Sequence, residues 1–351
     1  MEAAKKPSFF ARIGRMNESN LLFMITVAIF LLMYIGAIVF QGGGFLSAQT
    51  FFNILNDNAG LIIGALGMSV VMITGGIDIS IGGVVALISM SCAVYLRSGG
   101  SLIVAFLLAL GIGLAFGLVQ GYLVAYLGIQ PFIVSLAGMF FARGMTTIVS
   151  DEPFNITSDI SQSFMNLKDT HIVVPFLGHT NRKGIYIDSY VEVGALVAVI
   201  LVFVMFALLR WSRLGRNFYA VGGNANSALM LGINVKRTRF ISHITCSLMA
   251  GIAGFVYFVH VGSGSPSNAL GMEMDAIACS IIGGTMLTGG VGNILGTLFG
   301  VLSLGTIKNI VASAGLGEAW WTGITTAAML CLFLIIQSVV MVFKGRSTTK
   351  V

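Results

Sequence analysis

Residues 210–239, RWSRLGRNFYAVGGNANSALMLGINVKRTR, form the one long internal stretch of this chain that cannot lie in a bilayer. The stretch carries six basic residues (Arg210, Arg213, Arg216, Lys236, Arg237 and Arg239) and no carboxylate. Short basic loops stay on the cytoplasmic side of a membrane, so this one is expected to face the cell interior. Between its basic ends, Gly222-Gly223 makes a turn, Asn224 is a plausible N-cap and Gly232 a stop. Ala225, Ala228, Leu229 and Gly232 recur at i, i+3, i+4 and i+7, the spacing of a short helix with one small-residue face. Held between spans, such a helix is either a docking surface for a soluble partner or a solvated connector.

The remainder of the chain is built for lipid. Of its 351 residues 56% are hydrophobic and 9% charged, where soluble chains carry about a quarter charged residues. Cys92, Cys246, Cys279 and Cys331 all lie in apolar runs without CxxC spacing, and read as small packed hydrophobes. No metal site is expected. The net charge of +6 fits loop anchors, since no basic run is interleaved with exposed aromatics as a nucleic-acid surface would require. Lys5, Lys6, Arg12 and Arg15 precede an apolar run too long for a cleaved leader, so it is read as a retained first span.

The apolar runs 21–40, 53–74, 79–97, 102–126, 131–150, 193–209, 240–261, 272–283, 294–311 and one after Trp320-Trp321 predict an all-α polytopic membrane protein. About ten transmembrane helices would leave both termini cytoplasmic. Residues 1–20 then form an N-terminal cytoplasmic segment, 21–343 the membrane domain and 344–351 a cytoplasmic tail. Residues 151–192 hold six carboxylates (Asp151, Glu152, Asp159, Asp169, Asp188, Glu192) and are too polar to span; they fall outside. Lys and Arg at 5, 6, 12, 15, 210, 213, 216, 236, 237, 239, 344, 346 and 350 fall inside, and only Arg97, Lys168, Arg182 and Lys183 fall in outer loops. That asymmetry sets the orientation. Glycines 111, 113, 117, 121, 292, 296 and 300 have the spacing of close helix packing.

Two breaks echo one another. Gly75-Gly76, Ser80 and Gly82 match Gly283-Gly284, Thr288 and Gly290, each after an inward-running span, which makes the halves parallel repeats. Asp78 lies in the first break, where an ionised carboxylate costs about 2.5–3.5 kcal/mol on insertion scales. It either caps the helix starting near Ser80 at the inner interface or lines a polar pathway. Asp57, Glu273 and Asp275 read as outer helix ends, with Asp275 the deeper of the last two. Arg143 is expected to snorkel outward, and His243 and His260 to be structural. The chain contains neither a P-loop nor an HExxH motif.

ITGGIDISIG at 73–82 resembles the GGIDLSVG motif of sugar ABC-importer permeases of the ribose, galactose, xylose and galactofuranose type. PFIVSLAGM at 131–139, GRNFYAVGGN at 215–224 running to Gly232-Ile233, and Asp275 to Ala278 with Gly283-Gly284 agree in order and spacing. Asn56 to Ala59, Gly138 to Phe141 and Gly222 to Ala225 look closest to the galactofuranose type. The resemblance covers nearly the whole chain. It implies an ABC-importer permease in the bacterial inner membrane, working with a second permease subunit (identical or different), a cytoplasmic ABC ATPase and a periplasmic sugar-binding protein. ATP and Mg would sit on the ATPase, with no cofactor or catalytic residue on this chain. Gly222, Gly223, Asn224, Ala225, Ala228, Leu229 and Gly232 would form the coupling helix. Members often carry acidic residues after the asparagine, whereas Ala225 and Asn226 stand here, which puts an ion pair with the ATPase in question. Thr74, Gly75, Gly76, Asp78, Ser80, Asp275, Gly283, Gly284, Thr285 and Thr288 are the pathway or gate residues on this reading. Two rivals share the architecture: an ion-coupled secondary transporter, which needs deep ionisable groups, and a branched-chain amino-acid permease.

Overall fold

The computed structural model describes residues 18–41, 43–180, 186–315 and 319–348. Lys5, Lys6, Arg12, Arg15, Gly42, Arg182, Lys183 and Lys350 lie outside these. The chain is largely helical. In order it runs α1 (Glu18–Gln41), α2 (Gly43–Leu46), α3 (Ala48–Asp57), α4 (Ala59–Ile73), α5 (Ile81–Arg97), α6 (Leu102–Ala125) and α7 (Pro131–Val149). Next come β1 (Phe154–Asn155), α8 (Gln162–Asp169), β2 (His171–Thr180), β3 (Tyr186–Glu192), α9 (Val193–Trp211), α10 (Arg213–Gly223) and α11 (Ala225–Met230). The last elements are α12 (Val235–Val261), β4 (Ser263–Gly264), α13 (Met272–Ile282), α14 (Ile294–Ser313) and α15 (Ala319–Thr348).

Among the described residues six helices (α1, α6, α7, α9, α12, α14) are long and apolar enough to cross a membrane, seven if α3 and α4 count as one bent span. Apolar side chains such as Leu107, Phe140, Phe141, Ile200 and Phe203 stand exposed on these helices. Water does not tolerate such surfaces on helices of this length, so they face lipid or another membrane subunit.

The centre of the molecule is α4. Every residue from Ala59 to Ile73 is buried. A helix apolar all round has to be enclosed on all sides, and α9, α12, α13 and α14 enclose it. The run 53–74 is not one straight span, because the chain bends by 57° between α3 and α4. The cause is local. Asn58 leaves helical geometry (φ −108°, ψ 11°), and its side-chain amide donates to the Ile54 carbonyl at 2.8 Å.

Small-residue spacing sets the close approaches. A Cβ at Gly113, Gly117 or Gly121 of α6 would press on α12 at Ser247, Ile244 or Phe240, whereas Gly111 has open space around it. Gly296 and Gly300 of α14 rest on the backbone of Gly283 and Cys279. Aromatic edges of Phe23 and Phe30 on α1 pack against Phe299 of α14 at 5.9 and 5.6 Å. Cys92, Cys246 and Cys279 are packed as expected, but Cys331 is exposed, because its face of α15 points away from the core.

The fold departs from all-α in the segment 151–192. Here β2 and β3 pair antiparallel as a hairpin, and β1 pairs with β4 beyond α12. The hairpin docks through backbone donors: Tyr190 N–H reaches Gln49 Oε1 at 2.8 Å and Glu192 N–H reaches Asn56 Oδ1 at 3.0 Å. His260 closes the junction, with Nδ1 2.7 Å from Glu192 Oε2 and Nε2 3.8 Å from Asp57. Helix α12, at 27 residues, is about 40 Å long. It separates this hairpin end from the basic end, where α10 and α11 lie.

Candidate functional site: a glycine junction next to an exposed helix

Locally, the basic stretch folds as its residues dictate. Ser212 caps α10 by accepting from Gly215 N–H at 3.0 Å, and Asn224 caps α11 by accepting from Ser227 N–H at 2.9 Å. Gly232 then turns the chain at φ +81°, and Asn234 caps α12. The expected face of α11 is divided between the protein and its surroundings. Ala228 is buried and α11 packs against α12, whereas Leu229 and Gly232 of the same face are exposed. Leu229, Met230 and Leu231 are 62, 90 and 80% exposed. Three large apolar side chains in a row therefore project from the basic end of the protein.

At the end of α10, just before α11, three glycine segments meet. Gly290 N–H donates to the Ile73 carbonyl at 2.9 Å, joining the second break to the first. A Cβ at Gly222 would strike that same carbonyl, and one at Gly289 would crowd Gly75 at 2.9 Å and the Gly222 carbonyl at 3.0 Å. The backbones touch with no side chain between them, which only glycine permits. Tyr219 of α10 adds a bond to the Gly292 carbonyl at 3.0 Å. Burial pushes its phenol up to about 12, so it remains a neutral donor at any ordinary pH. Thr26 of α1 reaches the Ile282 carbonyl at 2.6 Å and steadies the second break from the other side.

The structure thus brings Thr74, Gly75, Gly76, Gly222, Gly223, Gly283, Gly284, Thr285 and Thr288 to one end. Thr74 Oγ1 lies 3.2 Å from Ser242 of α12, Thr285 is fully buried, and Thr288 is exposed. Both breaks follow helices, α4 and α13, that run the same way, from Asp57 and Asp275 at the hairpin end to this junction. Midway, Ser69 Oγ of α4 sits 3.0 Å from Ser280 Oγ of α13 and 2.7 Å from Thr297 Oγ1 of α14.

Asp78 is fully buried. Its Oδ1 accepts from Ser80 N–H at 3.0 Å and Ser80 Oγ at 2.6 Å, and Gln120 donates to Ser80 Oγ at 2.9 Å. His243 and Cys246 of α12 lie against the same carboxylate. Ser80 is the residue that flanks α5, and Asp78 orders the turn entering it. Asp78→Ala should therefore cost about 1.5–3 kcal/mol for each lost bond to the carboxylate, read as a lower melting temperature in detergent. Asp78→Asn, which keeps the Oδ1 acceptor, should stay close to wild type. If it does so yet loses transport, the carboxylate has a role in the pathway besides the turn.

Asp275 does not join this group. It lies eight residues before Gly283, about 12 Å along α13, and its Oδ2 is 2.6 Å from Lys308 Nζ. Glu273, not Asp275, is the more deeply buried of the pair. Arg143 reaches toward the hairpin end, where it donates to the carbonyls of Pro266, Asn268 and Ala269 at 3.3, 2.7 and 2.8 Å. Lys308, Gln120 and the exposed Met230–Leu231 pair escaped sequence reasoning. An isolated lysine late in an apolar run was the available signal for the first.

The permease model described as "Branched-chain amino acid transport system / permease component" matches residues 50–334. The chain belongs to this permease family. It is 37% identical to the inner membrane ABC transporter permease protein YjfF of Escherichia coli over 92% of this chain and 93% of that protein. Similarity extends to the fructose import permease FruG of Bifidobacterium longum, 33% identical over 92% of each. The ribose import permease RbsC of Escherichia coli is 31% identical over 94% of this chain and 96% of its own length. No solved structure matches. Members of this family are transport subunits rather than enzymes, and this one is a multi-pass protein of the cytoplasmic membrane.

Proposed function

We propose that this chain is the membrane-spanning permease subunit of an ATP-driven, binding-protein-dependent importer of a monosaccharide. The relatives whose printed names give a cargo carry ribose, fructose and allose; those names favour a sugar over the amino acid in the family model's description. Galactofuranose is the sugar to test first. On this reading the chain crosses the membrane about ten times, with α13 and α5 as short spans flanking the breaks and both termini cytoplasmic. A second permease subunit, identical or different, would complete the pathway. ATP and Mg would be held by the cytoplasmic ATPase, and the hairpin end would receive the binding protein.

The observation that carries this reading is the exposed Leu229–Leu231 patch on α11, a helix that follows directly on Gly222 and Gly223, the residues of α10 that touch both breaks. A partner that grips α11 would move the end of α10, where Gly222 lies against Ile73 and Gly290 backbone to backbone. Differential affinity of the ATPase for two positions of α11 is then differential stability of two arrangements of α4–α5 and α13–α14. A neutral sugar needs hydroxyl and amide partners rather than charge, and Thr74, Ser80, Thr285 and the Ser69–Ser280–Thr297 cluster supply them. An ion-coupled carrier would draw on deep ionisable groups. Here Asp78 is engaged by Ser80, and Asp275 by Lys308.

Leu229→Arg and Met230→Asp are expected to lower co-purification of the ATPase by about tenfold or more, the loss typical of an interface anchor, while membrane insertion stays normal. Ala228→Arg is the contrasting variant, since a buried arginine should disturb α11 itself. If Leu229→Arg and Met230→Asp retain both the ATPase and uptake, α11 is a connector.

A further inference from the structure

At the hairpin end, the elbow between α3 and α4, the end of α12, the loop before α13 and the end of α14 enclose a cavity of about 300 Å³. Six of its lining residues are polar: Asp57, Asn58, Tyr257, Ser267, Asp275 and Lys308. Leu61 and Met272 form an apolar floor. We propose that this cavity binds one neutral monosaccharide ring at the outer mouth of the permeation route. The inference rests on the importer reading above.

Size and chemistry select the ligand class. Small-molecule sites span about 300–1,000 Å³, so this one admits a single ring and not an oligosaccharide. Lys308 and Asp275 are already joined at 2.6 Å, and Asp57, 3.8 Å from a His260 that Glu192 holds at 2.7 Å, leaves a carboxylate acceptor in the lining that disfavours an anionic ligand. What remains is a dense set of donors and acceptors. Lys308 has protons beyond the one given to Asp275. The Tyr257 hydroxyl accepts from Ala269 N–H at 3.2 Å and keeps its own proton to donate. Asn58, also in the lining, gives its amide to Ile54 at 2.8 Å, and its side-chain oxygen can only accept. Vicinal hydroxyls both donate and accept, which suits such a mixed lining. The direction onward is also marked, since Asp275 and Asn58 lie at the starts of α13 and α4, whose next shared polar contact is the Ser69–Ser280–Thr297 cluster.

The test uses the assembled transporter in detergent. Ser267 is exposed at the rim, so Ser267→Cys should fold. It is made in a Cys331→Ser background, because Cys331 is exposed whereas Cys92, Cys246 and Cys279 are buried. Maleimide labelling is timed with ribose, fructose, allose, galactofuranose or leucine present. At least one sugar should slow labelling by about fivefold, as a ligand at about four times its Kd would, while leucine and a Ser98→Cys control show no change. No slowing by any sugar, or equal slowing by leucine, overturns the proposal. A second variant, Ser267→Trp, fills the cavity from its rim. It should cut sugar uptake by about tenfold or more with the ATPase still bound, a barrier effect on transport alone. Uptake within about twofold of wild type overturns the cavity and leaves the importer standing. A wild-type transporter that moves no sugar overturns the importer reading, and the labelling result then still judges the cavity.

Discussion

Gly222→Val is expected to abolish ATP-coupled uptake while the chain remains inserted in the membrane. The Cβ would meet the Ile73 carbonyl oxygen and lie 2.6 Å from Gly290 N, the two atoms whose hydrogen bond holds the breaks together. Neither is the end of a side chain that can swing aside. Overpacking of this kind costs about 1–3 kcal/mol and occasionally more. Because the junction sits at one end of α4 and α13, the strain should be relieved by parting the breaks rather than by unfolding the bundle. Uptake should therefore fall by about tenfold or more, with ATP hydrolysis by the assembled transporter losing its dependence on the binding protein. Gly223→Ala is the control, since a Cβ there has nothing within 4 Å. If Gly222→Val transports at the wild-type rate, the route from α11 to the breaks does not run through this junction.

Gly300→Leu should have the larger effect on stability. Helix α14 lies on α13 with Gly300 against the backbone of Cys279 and Gly296 against that of Gly283. Leucine places four carbons where two helices already touch through their main chains. Without a hydrophobic force between helices inside lipid, such contacts supply much of the packing energy. A loss of about 3 kcal/mol or more is expected, seen as aggregation on size-exclusion chromatography and an early thermal transition in detergent. Gly323→Ala on α15, where a Cβ has open space, should behave as wild type. A monodisperse, wild-type-like Gly300→Leu would mean that α13 and α14 are held apart in the functional state.

Much of the site was legible in the chain. Asn224 as a cap and Gly232 as a stop bound α11 as written, because caps and left-handed turns depend on a handful of adjacent atoms. The spacing of Gly113, Gly117 and Gly121 foretold a close helix neighbour but not that the neighbour is α12. That Ala228 would be covered and Leu229 left exposed was not legible, since a 6-residue helix has too little periodicity to say which side its surroundings cover. Lys308 and Arg143 illustrate the same limit. Each looks like an isolated charge in an apolar run, and each finds its partners more than thirty positions away, in Asp275 and in the 266–269 carbonyls.

The sequence by itself determined that this is a multi-span membrane protein, where α11 starts and stops, and which family it resembles. Those properties follow from hydropathy, capping and glycine geometry, all of them short-range. Only the tertiary structure decided that α4 is the buried centre, that the run before it bends at Asn58, and that residues 151–192 form a hairpin braced on Glu192, His260 and Asp57. It also decided that the two breaks and Gly222 share one junction. Which apolar faces meet is a matter of shape across the whole bundle, and in lipid, where every span is apolar, the pattern of residues along one helix leaves its partners unspecified.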